Sequence, residues 1–206
     1  MLTASARRLA GRCLGGAVRW LAQRGVGPNA LTVLGLALHV PVVWLLAVST
    51  ASWPAGLALA AASLFDALDG MVARAAHAET PFGAFLDSVT DRVSEALVCL
   101  GLLLRAEQLG DWTLARWSIV LAAGSLLVSY TRARAAGIDI DTQAGWFGRL
   151  ERMVVLVGGL LVGWLGPAVV VTAVGAWLTA AARVVDVRRQ SVARVAEARP
   201  VAGAGA

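Results

Sequence analysis

The chain has 206 residues, 58% of them hydrophobic, with a mean hydropathy of +0.72. That composition excludes an ordinary soluble globular domain and, at this length, leaves room for one polytopic membrane domain. The formal net charge is +5, from 18 Lys and Arg residues against 13 Asp and Glu, and every basic residue is arginine. No function here rests on a titrating amine, and the basic excess is assigned to membrane lipids, with no nucleic-acid partner expected.

In chain order, residues 1–24 interleave Arg7, Arg8, Arg12, Arg19 and Arg24 with Leu, Ala, Val and Trp20. The pattern predicts an amphipathic helix lying on an anionic leaflet, and it lacks the long apolar core of a signal peptide. Residues 25–190 are predicted to form one all-α domain of six transmembrane helices, with apolar stretches at 31–49, 53–68, 85–104, 118–129, 154–165 and 168–182. Several stretches fall short of the roughly 20 residues a span needs, so polar flanks must extend them as helix. The second and fourth are expected to continue into Asp69 and Arg132. Asn29 and Thr32, in Pro28-Asn29-x-x-Thr32, read as capping residues at the start of the first span. Trp20, Trp53, Trp112 and Trp146 read as interface anchors, and residues 191–206 as a flexible tail. Cys13 and Cys99 suggest no disulfide framework, and Gly159-x-x-x-Gly163 offers a small-residue face for close helix contact and a homodimer.

Arginines crowd alternate connections. They precede span one, follow spans two and six, and fill the segment between spans four and five, while the opposite loops hold Arg105 and Arg116. By the positive-inside rule, both termini and the second, fourth and sixth span ends face the cytoplasm across the inner membrane.

Within this apolar chain stand Asp66, Asp69, Asp87 and Asp91. A carboxylate in a transmembrane helix costs about 2.5–3.5 kcal/mol on insertion scales, so four of them mark a site. The i,i+3 spacing of Asp66 and Asp69 and the i,i+4 spacing of Asp87 and Asp91 each set two side chains on one helical face. A turn at Thr80-Pro81 would let the two faces converge. Such a cluster repels itself unless a cation sits in it, and all-oxygen ligands suit Mg²⁺, Mn²⁺ or Ca²⁺ rather than zinc.

Written out, the run is Asp66-x2-Asp69-Gly70-x2-Ala73-Arg74-x8-Gly83-x3-Asp87-x3-Asp91. It resembles, position for position, the signature of the CDP-alcohol phosphatidyltransferases. The resemblance implies a cytoplasmic site holding two divalent ions, Mg²⁺ or Mn²⁺, on the four aspartates. It implies Asp91 as both ligand and general base, roles that are in tension because a metal-bound carboxylate is a poor base. A CDP-lipid such as CDP-diacylglycerol would give up CMP while its phosphatidyl group moves to an alcohol. In that setting Gly70, Ala73 and Gly83 let a nucleotide approach the backbone closely, Arg74 pairs with a phosphate of the CDP group, and Asn29 and Thr32 are candidate nucleotide contacts. A homodimer is also common in the family.

The acceptor is read from a second cluster: Ser129-Tyr130-Thr131-Arg132-Ala133-Arg134, then Gly148-Arg149-Leu150-Glu151-Arg152, then Arg183. Arg132, Arg134, Arg149, Arg152 and Arg183 exceed what topology requires and suggest a phosphorylated alcohol. The segments are similar to those of bacterial phosphatidylinositol-phosphate synthases, which implies inositol 1-phosphate. Ala136, Gly148 and Leu150 depart from that pattern, and glycerol 3-phosphate stays open as the alternative acceptor. A divalent-cation transporter would place its carboxylates near the midplane with two-sided access, whereas these lie to one side beside Arg74.

Overall fold

The structure is a computed structural model that describes residues 23–76 and 78–198, together with Gly15, Gly16, Val18 and Trp20. The expected interfacial helix over 1–24 lies mostly outside the described residues, as do Cys13, His77 and residues 199–206. At its end, Arg24 stacks over the Trp20 ring, 4.8 Å from the centroid. All regular structure among the described residues is helical: α1 (Pro28–Ala37), α2 (His39–Val48), α3 (Trp53–Ala75), α4 (Pro81–Leu109), α5 (Trp112–Ala136), α6 (Arg149–Val162) and α7 (Leu165–Ala198).

The first apolar stretch is broken at Leu38. Pro41 explains the break, since it lacks an amide proton and its ring crowds the carbonyl of Ala37, the last residue of α1. Gly27 occupies the N-cap position of α1 with Pro28 behind it, and no side chain caps this helix. Asn29 and Thr32 are therefore not the caps that the sequence suggested. Thr80 caps α4 by accepting the Gly83 amide at 3.0 Å, followed by Pro81 at the first helical position. Asp111 caps α5 through the amides of Thr113 and Leu114. Gly110 and Gly163, with φ of 63° and 78°, end α4 and α6 in the left-handed conformation that glycine adopts without strain.

Among the described residues, four segments are long and apolar enough to cross a membrane: Pro28–Val48, Trp53–Ala75, Trp112–Ala136 and Leu165–Ala196. α3 and α5 do run through Asp69 and Arg132 as continuous helix. α4 has the length but carries Asp87, Asp91, Arg92, Glu95, Arg105 and Glu107, and α6 has only 14 residues, about 21 Å at 1.5 Å per residue. The last helix begins before the predicted 168 and continues past 190 to Ala198, so much of the predicted tail is helical.

Helix contacts close a ring in the order α1/α2, α3, α6, α7, α5, α4 and back to α1/α2. The ring encloses Val42, Leu46, Leu59, Val98, Leu102, Leu121, Leu156, Leu160 and Val169, with Ala55, Ala62, Ala106 and Ala173 letting backbones approach. Its outer face is also apolar, with Trp44, Leu57, Leu64, Ile119, Leu126, Val154 and Val171 all exposed. An apolar face on both sides of each helix is the arrangement of a chain solvated by lipid. The Gly159-x-x-x-Gly163 spacing serves the chain itself. Gly159 packs against Ala168 across the α6–α7 turn, its carbonyl accepts the Trp164 amide at 2.8 Å, and Gly163 is the cap.

Candidate active site

The closing turns of α3 carry Asp66, Asp69, Gly70, Ala73 and Arg74, and the opening turns of α4 carry Gly83, Asp87 and Asp91, so both halves of the motif meet at one end of the ring. Asp69 is the least exposed of the four motif aspartates. It accepts the Thr32 hydroxyl at 2.7 Å and the Gly70 amide at 2.5 Å. Thr32 thus holds a motif aspartate. Asp66 lies against α1 at Gly35, where any Cβ would overlap its Oδ1. Asp87 is exposed and is an electrostatic neighbour of Asp66, Asp69 and Asp91.

Arg149, the first residue of α6, lies among these carboxylates. One of its amino groups bonds Asp66 Oδ2 at 2.7 Å and the other pairs with Asp91. A cation at a helix N-terminus opposes the macrodipole, and the aspartates supply the compensating charge. Deeper in the bundle, Glu95 receives Arg152 Nη2 at 2.5 Å, with Arg152 only 1% exposed. Arg149 Nε and Arg92 Nη1 each stand 3.8 Å from the Glu95 carboxylate. Arg92 also donates to Ser129 Oγ on α5 and lies 3.8 Å from Asp91.

The remaining sequence-predicted residues divide. Arg74 folds back over Gly70, its Nη1 3.4 Å from where a Cβ would stand. Asn29 Oδ1 comes within 3.2 Å of the same construction at Gly83, bringing α1 to the start of α4. Ala73 is half-buried on α3. Arg183 donates from Nε to the Ala144 carbonyl at 3.2 Å and from Nη1 to the Val128 carbonyl, and its charged neighbours are Arg132, Arg152 and Arg92. Arg132 and Arg134 are exposed at the end of α5. Arg152 is enclosed by Glu95 and the Phe147 carbonyl, so it faces the core rather than open solvent.

Three residues of this neighbourhood escaped the sequence reading. Glu95 continues the four-residue step of Asp87 and Asp91, a signal visible in the sequence. Arg92 adjoins Asp91 and has no periodicity to announce it. His39 is buried, bonded through Nδ1 to the Gly35 carbonyl at 3.0 Å, with Asp66 and Arg149 as charged neighbours.

The all-oxygen donors of Asp66, Asp69, Asp87 and Asp91 fit hard divalent cations in kind. Among the described residues, no three Asp, Glu, His or Cys side chains stand together at ion-binding separation. The convergence expected from spacing is thus looser, and the guanidinium of Arg149 is what offsets the like charges between Asp66 and Asp91.

A family model described as CDP-alcohol phosphatidyltransferase matches residues 26–186, which takes in α1 to α6, most of α7 and every motif residue. The chain belongs to that family. As a CDP-alcohol phosphatidyltransferase it is an enzyme of phospholipid synthesis. It is 32% identical over 173 residues to an archaetidylinositol phosphate synthase of Pyrococcus horikoshii, covering 82% of this chain and 88% of that one. The fold of the phosphatidyltransferase matches a crystal structure of the Mycobacterium tuberculosis phosphatidylinositol phosphate synthase with CDP-DAG bound, at a TM-score of 0.71 and 30% identity, over 86% of this chain and 91% of that one. A second structure of the same synthase, in complex with manganese and citrate, matches at a TM-score of 0.65 and 28% identity, over 93% and 92% of the two chains.

Proposed function

We propose that this chain transfers the phosphatidyl group of CDP-diacylglycerol to inositol 1-phosphate, releasing CMP, with two Mg²⁺ or Mn²⁺ ions held by Asp66, Asp69, Asp87 and Asp91. The observation that carries the reading is the adjacency of two charge groups. The four aspartates and Arg149 stand beside a set of arginines centred on Arg183, whose charged neighbours are Arg132, Arg152 and Arg92. The first group suits a metal-dependent reaction at a pyrophosphate, and the second suits an acceptor that carries its own phosphate. Relatives named archaetidylinositol phosphate synthase and phosphatidylinositol phosphate synthase, the latter with CDP-DAG bound in one structure and with manganese in a second, support both halves.

Bound divalent ions would neutralise the pyrophosphate and the charge that builds on the leaving CMP. The chain's own residues do the rest. Arg74, beside Gly70, pairs with a CDP phosphate, and Gly70, Ala73 and Gly83 leave room for the nucleotide, with Asn29 at its edge. Thr32 fixes the orientation of Asp69. Asp91 takes the acceptor hydroxyl proton as that oxygen bonds the phosphorus bearing diacylglycerol, and the bond from this phosphorus to the oxygen leaving with CMP breaks. Arg149, with Arg132, Arg134 and Arg183, receives the acceptor phosphate. Arg152 serves this set from behind, through Glu95.

In the same reading six segments cross the inner membrane, with α1 and α2 counting as one, both termini and the site face the cytoplasm, and two copies form a homodimer. The arginine distribution supports the orientation. Purified protein in detergent, given CDP-diacylglycerol and Mn²⁺, tests the activity by CMP release with inositol 1-phosphate and glycerol 3-phosphate in separate reactions. Turnover with glycerol 3-phosphate alone replaces the acceptor and keeps the mechanism. Turnover with neither sinks the phosphorylated-acceptor reading.

A further inference from the structure

The motif ends at Asp91, but the helix face it defines does not. One turn further along α4, Glu95 is 5% exposed and has three guanidinium groups around it. Arg152 bonds it directly, while Arg149 Nε and Arg92 Nη1 stand at 3.8 Å. Glu95 Oε2, Arg149 Nε and Arg152 Nε are all buried without a hydrogen-bond partner. A carboxylate accepts up to four hydrogen bonds, so Glu95 has capacity for both neighbouring arginines beyond Arg152.

These three arginines come from two helices. Arg92 is on α4 and reaches across to Ser129 of α5; Arg149 and Arg152 open α6. Glu95 and Asp91 share Arg149 and Arg92, so these two guanidiniums are held between two carboxylates at the place where an anionic acceptor would have to arrive. Glu95 also faces the Nε edge of Arg149, whose terminal amino groups point to Asp66 and Asp91. An anchor on that edge fixes which way the terminal fork points, and a planar fork gains its directional value only when so held.

We propose that Glu95 is a positioning residue for the transfer reaction: it holds Arg149 and Arg92 at the boundary between the aspartate cluster and the acceptor, and so sets the affinity for the acceptor's phosphate. This rests on the phosphorylated-acceptor reading above. Arg152 neutralises Glu95 in the core and anchors it there.

The test measures CMP release and separate KM values for the phosphorylated acceptor and for CDP-diacylglycerol in wild type, Glu95→Gln, Glu95→Asp and the double variant Glu95→Gln/Arg152→Met. Glu95→Gln is expected to raise the acceptor KM about tenfold, because Arg149 and Arg92 lose the charge they face at 3.8 Å, with the CDP-diacylglycerol KM within twofold. Glu95→Asp, which keeps the charge, should recover at least half of that loss. Glu95→Gln leaves Arg152 unpaired in the core and is the variant most exposed to misfolding, whereas the double variant removes both buried charges. The double variant should therefore melt near wild type yet keep the raised acceptor KM. A wild-type acceptor KM in Glu95→Gln or in the double variant overturns the positioning role, as does an equal rise in both KM values. Wild-type protein inactive with either phosphorylated alcohol would instead overturn the acceptor reading, a result separable from any effect of Glu95.

Discussion

α4 carries buried charge at both of its ends, and the two ends are solved differently. Near its C-terminus, Arg105 is 7% exposed and donates to the Ser49 and Thr50 carbonyls just beyond α2, backbone groups that would otherwise lack partners in an apolar setting. That arginine has local acceptors and nothing to exchange them for. Near the N-terminus, Asp87 and Asp91 join Asp66 and Asp69, and Arg149 is the guanidinium that bonds two of them. There the charges are unequal in number, partly open to solvent, and held by side chains from three helices. Charge at two ends of one helix therefore does not mean equal function: the structural end is satisfied by the Ser49 and Thr50 carbonyls, and at the end proposed as catalytic the carboxylates outnumber the guanidinium that bonds them.

Asp91→Asn breaks the catalytic end most completely. Loss of a proton acceptor at the reacting hydroxyl should lower turnover about 10³-fold or more, with the thermal unfolding midpoint in detergent unchanged. A stable variant with half its activity would remove Asp91 from the reaction. Arg105→Ala attacks the other end and should do the opposite. Two carbonyls lose a charged donor, at roughly 2–4 kcal/mol, so the midpoint falls while kcat/KM of the protein that remains folded stays at the wild-type value. Reduced kcat/KM in Arg105→Ala would mean the two ends are linked.

A pair of identical substitutions sharpens the contrast. In Gly35→Ala the new methyl meets Asp66 Oδ1, and in Gly101→Ala it meets Leu46 and comes within 3.2 Å of the Val43 backbone. Moving a carboxylate should raise the Mn²⁺ concentration needed for half-maximal activity by about 10-fold to 100-fold. Overpacking two core helices should instead lower stability by about 1–3 kcal/mol and leave the metal requirement alone. Metal titrations and melting curves of the two variants side by side decide whether the site and the core are as separable as the geometry indicates.

Much of this division was legible in the sequence, for reasons that differ by residue. Composition and hydropathy exposed the membrane class because lipid imposes one constraint on every span. The motif exposed the aspartates because helical spacing fixes their faces whatever surrounds them. Partner choice was not legible. Arg149 and Arg152 occupy neighbouring turns in one short run, yet the first bonds Asp66 and Asp91 while the second is buried on Glu95, a difference set by depth in the bundle, since Glu95 lies one turn beyond Asp91 on α4. The break at Leu38 was signalled by Pro41 inside an apolar stretch, and Gly159 looked like a contact face for another copy because spacing does not say which chain the close neighbour belongs to.

Arg134 tests how far the catalytic end extends. It is exposed at the end of α5, and the carboxylates and carbonyls that fix Arg149 and Arg183 have no counterpart among its described contacts. Such a group acts on an incoming phosphate mainly through its field, and a field from an exposed charge is screened within about 8 Å at physiological salt. Arg134→Gln should accordingly raise the acceptor KM only about twofold to fivefold in low salt, and the difference from wild type should vanish when ionic strength is raised. Arg149→Gln is the contrasting case: its guanidinium is enclosed by Asp66, Asp91 and Glu95, so its effect should persist at high salt. A large, salt-resistant effect at Arg134 would move the boundary of the site outward and make direct contact with the acceptor, rather than steering, the role of the α5 terminus.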